Sequence, residues 1–243
     1  MQLILEPMKQ KQMHNKIWAI IPAAGSGSRF SKTELKQYQI IQDQTVLQHT
    51  VSRINQLNLE GYVLAIGEQD DFAQTLAFAC QEKLHFCLGG QERVNSVLNA
   101  LTYLSTIASE DDWVMVHDAA RPCVDLASLE NLVDTAITQN THAILATPVR
   151  DTLKKAAAHS VIDKTVSREA LWQAQTPQMS KIGILKKAIE HALFSNMNIT
   201  DEASALEFMN EKVLLVQGRS DNIKITYPED LVLAKLILES QKN

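Results

Sequence analysis

Among 243 residues there are three cysteines, Cys80, Cys87 and Cys123, and none stand in C-x-x-C spacing. The chain therefore lacks both the even cysteine set of a disulfide framework and the paired thiols of a zinc site. Positive charge is also in deficit. Against 28 Asp and Glu there are 23 Lys and Arg, a formal net charge of −5, whereas a nucleic-acid-binding protein usually carries a basic surface. An anionic small ligand must then be met by cations placed locally. No apolar run approaches the ~18 residues of a membrane-spanning helix. The N-terminal MQLILEPMKQKQMHNK has a short apolar run before Glu6 and Pro7, too little for a secretory signal core. Residues 1–16 read as a flexible polar tail, with Met8 or Met13 as alternative starts. Reduced thiols and the lack of a targeting segment fit a cytoplasmic protein. Internal repeats, low-complexity stretches and a domain linker are lacking too.

What is present is an ordinary globular composition, 45% hydrophobic and 21% charged, long enough to bury a substantial core. Apolar runs alternate with helical patterns. The runs IWAIIP (17–22), YVLAIG (62–67), LHFCL (84–88), WVMVHD (113–118), AILATPV (143–149) and KVLLVQG (212–218) are mostly apolar throughout, as strands buried on both faces are. Between them, Val46, Leu47, Thr50, Val51, Ile54 and Leu57 share one helical face, and Val94, Val97, Leu98, Leu101 and Leu104 share another. Pro228 stands where a C-terminal helix could begin. The expected fold is α/β: a single doubly wound, mostly parallel, Rossmann-like sheet over residues 17–243.

Residues 150–175 break this pattern. DTLKKA and VIDKTVSR are weakly β-like and surround a polar turn, with few residues fit for a core. The segment reads either as a projecting β-arm that packs on a second subunit or as a surface loop.

In open α/β sheets ligands bind beyond the carboxyl ends of the strands. After the first run comes PAAGSGSRFSKTELKQY, in which Ala23, Ala24, Gly25, Ser26 and Gly27, following Pro22, offer backbone N–H groups and Arg29 and Lys36 offer charge. The stretch is neither a Walker A loop nor a G-x-G-x-x-G fingerprint. After the third run, GGQERVNSV places Gly90, Glu92, Arg93 and Ser96 at the start of a helix, facing an anion or merely forming a strand-to-helix turn. After the fourth comes HDAARP, with Asp118, Ala119 and Arg121. An unpaired carboxylate there is costly; Mg²⁺ would relieve it, and so would an ion pair with Arg121. His117 and Cys123 invite a nucleophilic reading, but no third orienting residue accompanies them. Near the C-terminus, Thr200 or Asp201 caps a short helix in ITDEASALE, and GRSDNIKIT places Lys224 in a short β-like segment.

Taken together and in order, PAAGSGSR with LKQY, GGQERVNSV, HDAARP, PVRDT, AQTPQ, ITDEASALE and DNIKIT-PED, spread over residues 22–230, closely resemble the 2-C-methyl-D-erythritol 4-phosphate cytidylyltransferases of the non-mevalonate isoprenoid pathway. The resemblance implies a nucleotidyltransferase fold and an enzyme. CTP and methylerythritol phosphate would react by in-line attack on the α-phosphorus, with Mg²⁺, releasing pyrophosphate. It implies Arg29 and Lys36 as catalytic cations and residues 22–27, Gly90, Glu92, Arg93, Ser96 and Ala119 as nucleotide contacts. Asp118 would ligate the metal and, with Arg121, contact substrate. Arg168 and Lys224 would orient methylerythritol phosphate, with Thr152, Thr176, Thr200 and Thr226 as hydrogen-bond donors. A homodimer is implied, its arm reaching the partner's active site. Leu35 stands where the family usually has proline, so a less rigid Lys36 loop is expected. Two alternatives stay open: a ribitol 5-phosphate cytidylyltransferase, whose first loop tends to read AGG, and a non-catalytic nucleotide-binding dimer.

Overall fold

Burial on both faces is what makes the central strands continuous apolar runs. In β1 (Ile17–Pro22), Ala19 and Ile21 point into one hydrophobic layer and Trp18 and Ile20 into the other, as the two-residue strand period requires. A computed structural model describes residues 16–25, 30, 31 and 35–242. The expected tail, apart from Lys16, lies outside these residues, as do Ser26, Gly27 and Arg29.

The strands following β1 are the short pair β2 (Ile40–Ile41) and β3 (Gln44–Thr45), then β4 (Gly61–Ile66), β5 (Leu84–Leu88), β6 (Trp113–Val116), β7 (His142–Pro148), β8 (Leu153–Ala156), β9 (Ile162–Val166), β10 (Trp172–Lys181) and β11 (Val213–Gln217). The helices are α1 (Val46–Ile54), α2 (Asp71–Thr75), α3 (Arg93–Leu104), α4 (Leu126–Gln139), α5 (Ile182–Phe194), α6 (Glu202–Phe208) and α7 (Asp230–Ser240). Seven strands form one sheet in the order β11-β7-β10-β6-β1-β4-β5. Every neighbouring pair in it is parallel except the two made by β10.

Leu47, Val51 and Ile54 of α1 and Leu129 and Leu132 of α4 cover one face of the sheet. Val97, Leu101 and Leu104 of α3 and Leu185 and Ile189 of α5 cover the other. The doubly wound architecture is thus as expected. Helix α1 starts where Thr45 accepts the Gln48 N–H and Gln48 returns a bond to the Thr45 N–H, a capping box. Among the described residues no helix is long and apolar enough to cross a membrane.

Three expectations are corrected. The strand β10 was not anticipated, and its first residues fall inside the segment read as an arm. Pro177 and the polar residues around it disguise a strand, because proline lacks the N–H that a central strand donates. The structure accommodates it by interrupting the ladder: Ala174 pairs with Ala146 and Gln178 with Ile144, so the intervening residues bulge out of register. Second, α7 starts at Asp230 rather than Pro228, since the Asp230 carboxylate accepts the N–H groups of Thr226 and Tyr227. Third, Lys224 lies on no strand; the segment around it is held by a bond from the Ile225 N–H to Ala120 O.

The strands β8 and β9 pair only with each other, antiparallel and apart from the main sheet. Val161 and Ile162 are about 60% exposed there, so this hairpin has no core of its own.

Candidate active site

β1 has β4 on one side and β6 on the other, so the chain order reverses between β1 and β6. A crevice opens at such a switch point. It is a cleft of about 590 Å³ lined by Pro22 to Gly25, Lys36, Gln37, Gly90 to Arg93, Ser96, Asp118 to Ala120 and Lys224. A Cβ added to Gly25 would meet no described atom within 4 Å, whereas one on Gly89 would come to 2.3 Å from the Ala24 Cβ. Gly25 therefore borders open space, and Gly89 is what lets the second loop close against the first.

Lys36 begins a single 3₁₀ turn and donates from Nζ to Ile225 O at 2.9 Å. Behind it, Gln37, buried, donates from Nε2 to Ala23 O at 2.9 Å, and the Tyr38 hydroxyl bonds to Asp70. These contacts anchor the Lys36 segment directly after Leu35. In the second loop, Ser96 Oγ accepts the Gly90 N–H at 3.0 Å and donates to Glu92 O at 3.2 Å. Its hydroxyl thus shapes the loop that borders the cleft.

At the end of β6 the Asp118 carboxylate, buried, is met by three cations. Arg93 Nε lies 2.7 Å from Oδ1, Lys224 Nζ 2.8 Å from Oδ2 and Arg121 Nε 3.5 Å from Oδ2. Burial pushes this carboxyl up, but Arg93, Lys224 and Arg121 outweigh it and hold it well below the usual range. The ion pair weighed for Asp118 is therefore real, but Arg121 is the most distant of its three partners. Arg121 makes its short bond, 2.7 Å, from Nη1 to Asn222 O.

Sequence reading missed Glu202. An acidic residue in the first turn of α6 reads as a helix-dipole partner, and Asp201 does cap that helix by accepting the Ser204 N–H. The Glu202 side chain instead turns inward, 3% exposed, and takes Arg93 Nη1 at 2.6 Å and Nη2 at 3.1 Å. Burial raises its carboxyl and Arg93 pulls back against that rise. Arg93 is thereby stretched between two carboxylates.

A second cleft, about 570 Å³, also borders this cluster. Arg121, Gln175, Thr176, Gln178, Thr200 and Asp201 line it, and it shares Arg93, Asp118 and Lys224 with the first. The bulge of β10 builds its floor. Gln175 donates to Arg219 O at 2.9 Å, and Gln178, 2% exposed, donates to Asp201 Oδ2 at 2.9 Å and accepts the Ala203 N–H at 2.8 Å. The strand that went unread thus clamps two loops of the site.

Of the remaining candidates, Thr226 donates to Lys224 O at 3.0 Å and lines neither cleft. Thr152 and Arg168 are exposed on the segment carrying the hairpin and border neither cleft. His117 is fully buried, and burial lowers its pKa to about 4. Burial also raises the Cys123 thiol, whose Sγ faces Ala234 O while both His117 ring nitrogens bond to Arg121 O and Thr176 Oγ1, so the two do not pair.

Residues 17–240 match the family model for 2-C-methyl-D-erythritol 4-phosphate cytidylyltransferase. A relative of that name from Acinetobacter baumannii (strain ACICU) is 71% identical over 226 residues, 93% of this chain and 95% of that protein. One from Vibrio vulnificus (strain CMCP6) is 47% identical over the same shares. Among solved structures, a 4-diphosphocytidyl-2C-methyl-D-erythritol synthase superposes with a TM-score of 0.81 at 36% identity, covering 92% of this chain and 99% of that one. The Francisella tularensis 2-C-methyl-D-erythritol 4-phosphate cytidylyltransferase gives 0.79 at 36% identity, covering 91% and 99%. The chain thus belongs to the 2-C-methyl-D-erythritol 4-phosphate cytidylyltransferase family of the non-mevalonate isoprenoid pathway, enzymes that transfer the cytidylyl group of CTP to that polyol phosphate.

Proposed function

We propose that the transfer takes place across the wall of Arg93, Asp118 and Lys224 that the two clefts share, with CTP in the first cleft and the polyol phosphate in the second. That shared wall is the observation that carries the reading. The glycine-bearing loops at residues 22–25 and 89–96 suit a nucleotide, and the second cleft offers Arg121, Lys224 and Thr200 to a phosphorylated polyol. The nucleophile is a phosphate oxygen, already ionised at neutral pH, so no base is needed to generate it. It attacks the α-phosphorus in line, forming an O–P bond as the bond to the leaving pyrophosphate breaks. Negative charge grows on the nonbridging and leaving oxygens, and positioned cations are what lower such a barrier. Lys36, at the rim of the first cleft, and Arg29 take that role, while Lys224 and Arg121 hold the attacking phosphate.

Among the described residues no three His, Cys, Asp or Glu side chains stand close enough to hold a metal ion together. Mg²⁺ fits this site as an ion that takes most of its ligands from the triphosphate, with Asp118 as a protein carboxylate beside it. Both Asp118 oxygens already face cations, so Asp118 would hold the ion in place of one of those contacts. Bound there, Mg²⁺ would neutralise charge on the triphosphate.

The hairpin carries the second part of the proposal. Thr152 and Arg168, at the base of the hairpin, are exposed and away from both clefts, and the apolar residues Val161 and Ile162 at its other end are uncovered. In a homodimer whose hairpins cross, these residues complete the partner's polyol phosphate site. Pyrophosphate release, measured with CTP, Mg²⁺ and either methylerythritol phosphate or ribitol 5-phosphate, tests the reading. Release with the first alone is expected; equal rates with both would overturn the acceptor assignment.

A further inference from the structure

His117 has both ring nitrogens engaged although it touches neither cleft. Nε2 lies 3.0 Å from Arg121 O and Nδ1 lies 3.0 Å from Thr176 Oγ1. A carbonyl only accepts, so Nε2 carries the ring proton. Thr176 Oγ1 in turn accepts the backbone N–H of Asp118 at 3.0 Å. With that N–H directed at Oγ1, the hydroxyl proton is left for His117 Nδ1. All three groups are buried. The turn bearing Asp118 and Arg121 is therefore tied at both ends to one imidazole: Asp118 through the Thr176 hydroxyl, and Arg121 through its own carbonyl.

We propose that His117 is a positioning residue for cytidylyl transfer. As the Nε2–H tautomer it orients the Thr176 hydroxyl, and through it the Asp118 backbone, so that the carboxylate holds Arg93 and Lys224 at the wall between the two clefts. The inference rests on the role given to Asp118 above. It assigns Thr176 to the frame of the site, because its hydroxyl proton is committed to the imidazole and is not offered to substrate. It also explains a histidine in the HDAARP stretch of a site whose chemistry uses neither an imidazole base nor a nucleophile.

The test is a double-mutant cycle read by steady-state kinetics and thermal melting. His117→Asn keeps an acceptor near the position of Nδ1, whereas His117→Gln keeps a donor near Nε2 and loses that acceptor. Thr176→Val removes the hydroxyl at nearly constant shape, and Thr176→Ser retains it. His117→Gln and Thr176→Val should each lower kcat by roughly 3- to 10-fold, the equivalent of one buried neutral hydrogen bond. Thr176→Ser should stay within about twofold of the parent, His117→Asn should lose less than His117→Gln, and the His117→Gln/Thr176→Val double variant should lose no more than the worse single one, as expected of groups acting through one bond. KM for CTP should change little throughout. Losses that multiply in the double variant, or equal damage from His117→Asn and His117→Gln, would overturn the proposal. Should the His117 variants fail to fold, equal kcat values for Thr176→Ser and Thr176→Val would overturn it alone. Asp118→Asn separates the two levels: normal turnover there refutes the role of Asp118, while lost turnover with no coupling between His117 and Thr176 refutes only this inference.

Discussion

Replacing Glu202 by glutamine removes one charge and almost no volume. In the native cluster Arg93, Arg121 and Lys224 share the two carboxylates Asp118 and Glu202; in the variant they share one. Arg93 Nη1 and Nη2 both donate to Glu202, and an amide oxygen keeps at most one of those bonds while its NH₂ turns toward the other donor. Removing one partner of a buried ion pair costs about 3–5 kcal/mol, and the retained hydrogen bond offsets about 1 kcal/mol of that. The expected loss is then about 2–4 kcal/mol, since Arg93 also keeps its contact with Asp118. For a chain of this length that lowers Tm by on the order of 5–10 °C. Freed at one end, Arg93 swings toward Asp118 and distorts the wall between the clefts; displacements near 1 Å can cost about 100-fold in rate. Thermal melting and pyrophosphate release on the same preparation check both effects. A Tm within about 2 °C of the parent together with normal turnover would show that Asp118 alone positions Arg93.

Other perturbations have equally definite outcomes. Arg29→Ala should leave the melting curve unchanged and reduce turnover by roughly 10²–10³, the effect of removing one preorganised transition-state charge; a near-normal rate would exclude Arg29 from the reaction. Deleting residues 154–164 should shift sedimentation from dimer toward monomer and reduce activity, and an unchanged sedimentation profile would count against a crossed hairpin. His117 sets a pH dependence of stability. Burial lowers it from 6.5 to about 4, so below pH ~6.5 the unfolded chain binds a proton that the folded one does not. Its contribution is complete above that pH and falls away toward pH 4, by about 3 kcal/mol in all. Tm should decline between pH 7 and 5, and His117→Asn should flatten the decline; parallel curves would refute this source.

Periodicity and apolar runs were enough to anticipate six of the strands, the doubly wound class and the strand ends that bear the site. Burial on both faces writes itself into composition: Val114, Met115 and Val116 of β6 leave no polar position to confuse the reading. The ordered motifs from PAAGSGSR to ITDEASALE likewise marked most of the residues that line the two clefts. What sequence did not disclose are features set by distant partners. β10 does not read as a strand of the sheet because its central proline and glutamines make sense only between β6 and β7, where a bulge absorbs Pro177 and the polar side chains find partners on loops far along the chain. Glu202 reads as a dipole partner, because nothing local says that Arg93, 109 residues earlier, waits beneath it. His117 and Thr176, 59 residues apart, likewise become one hydrogen-bonded unit only on folding. Local sequence carries the information for burial and helix ends, because those depend on neighbours three or four residues away. The pairing of buried charges is decided by the tertiary structure, since only packing brings them out of water and within reach of one another.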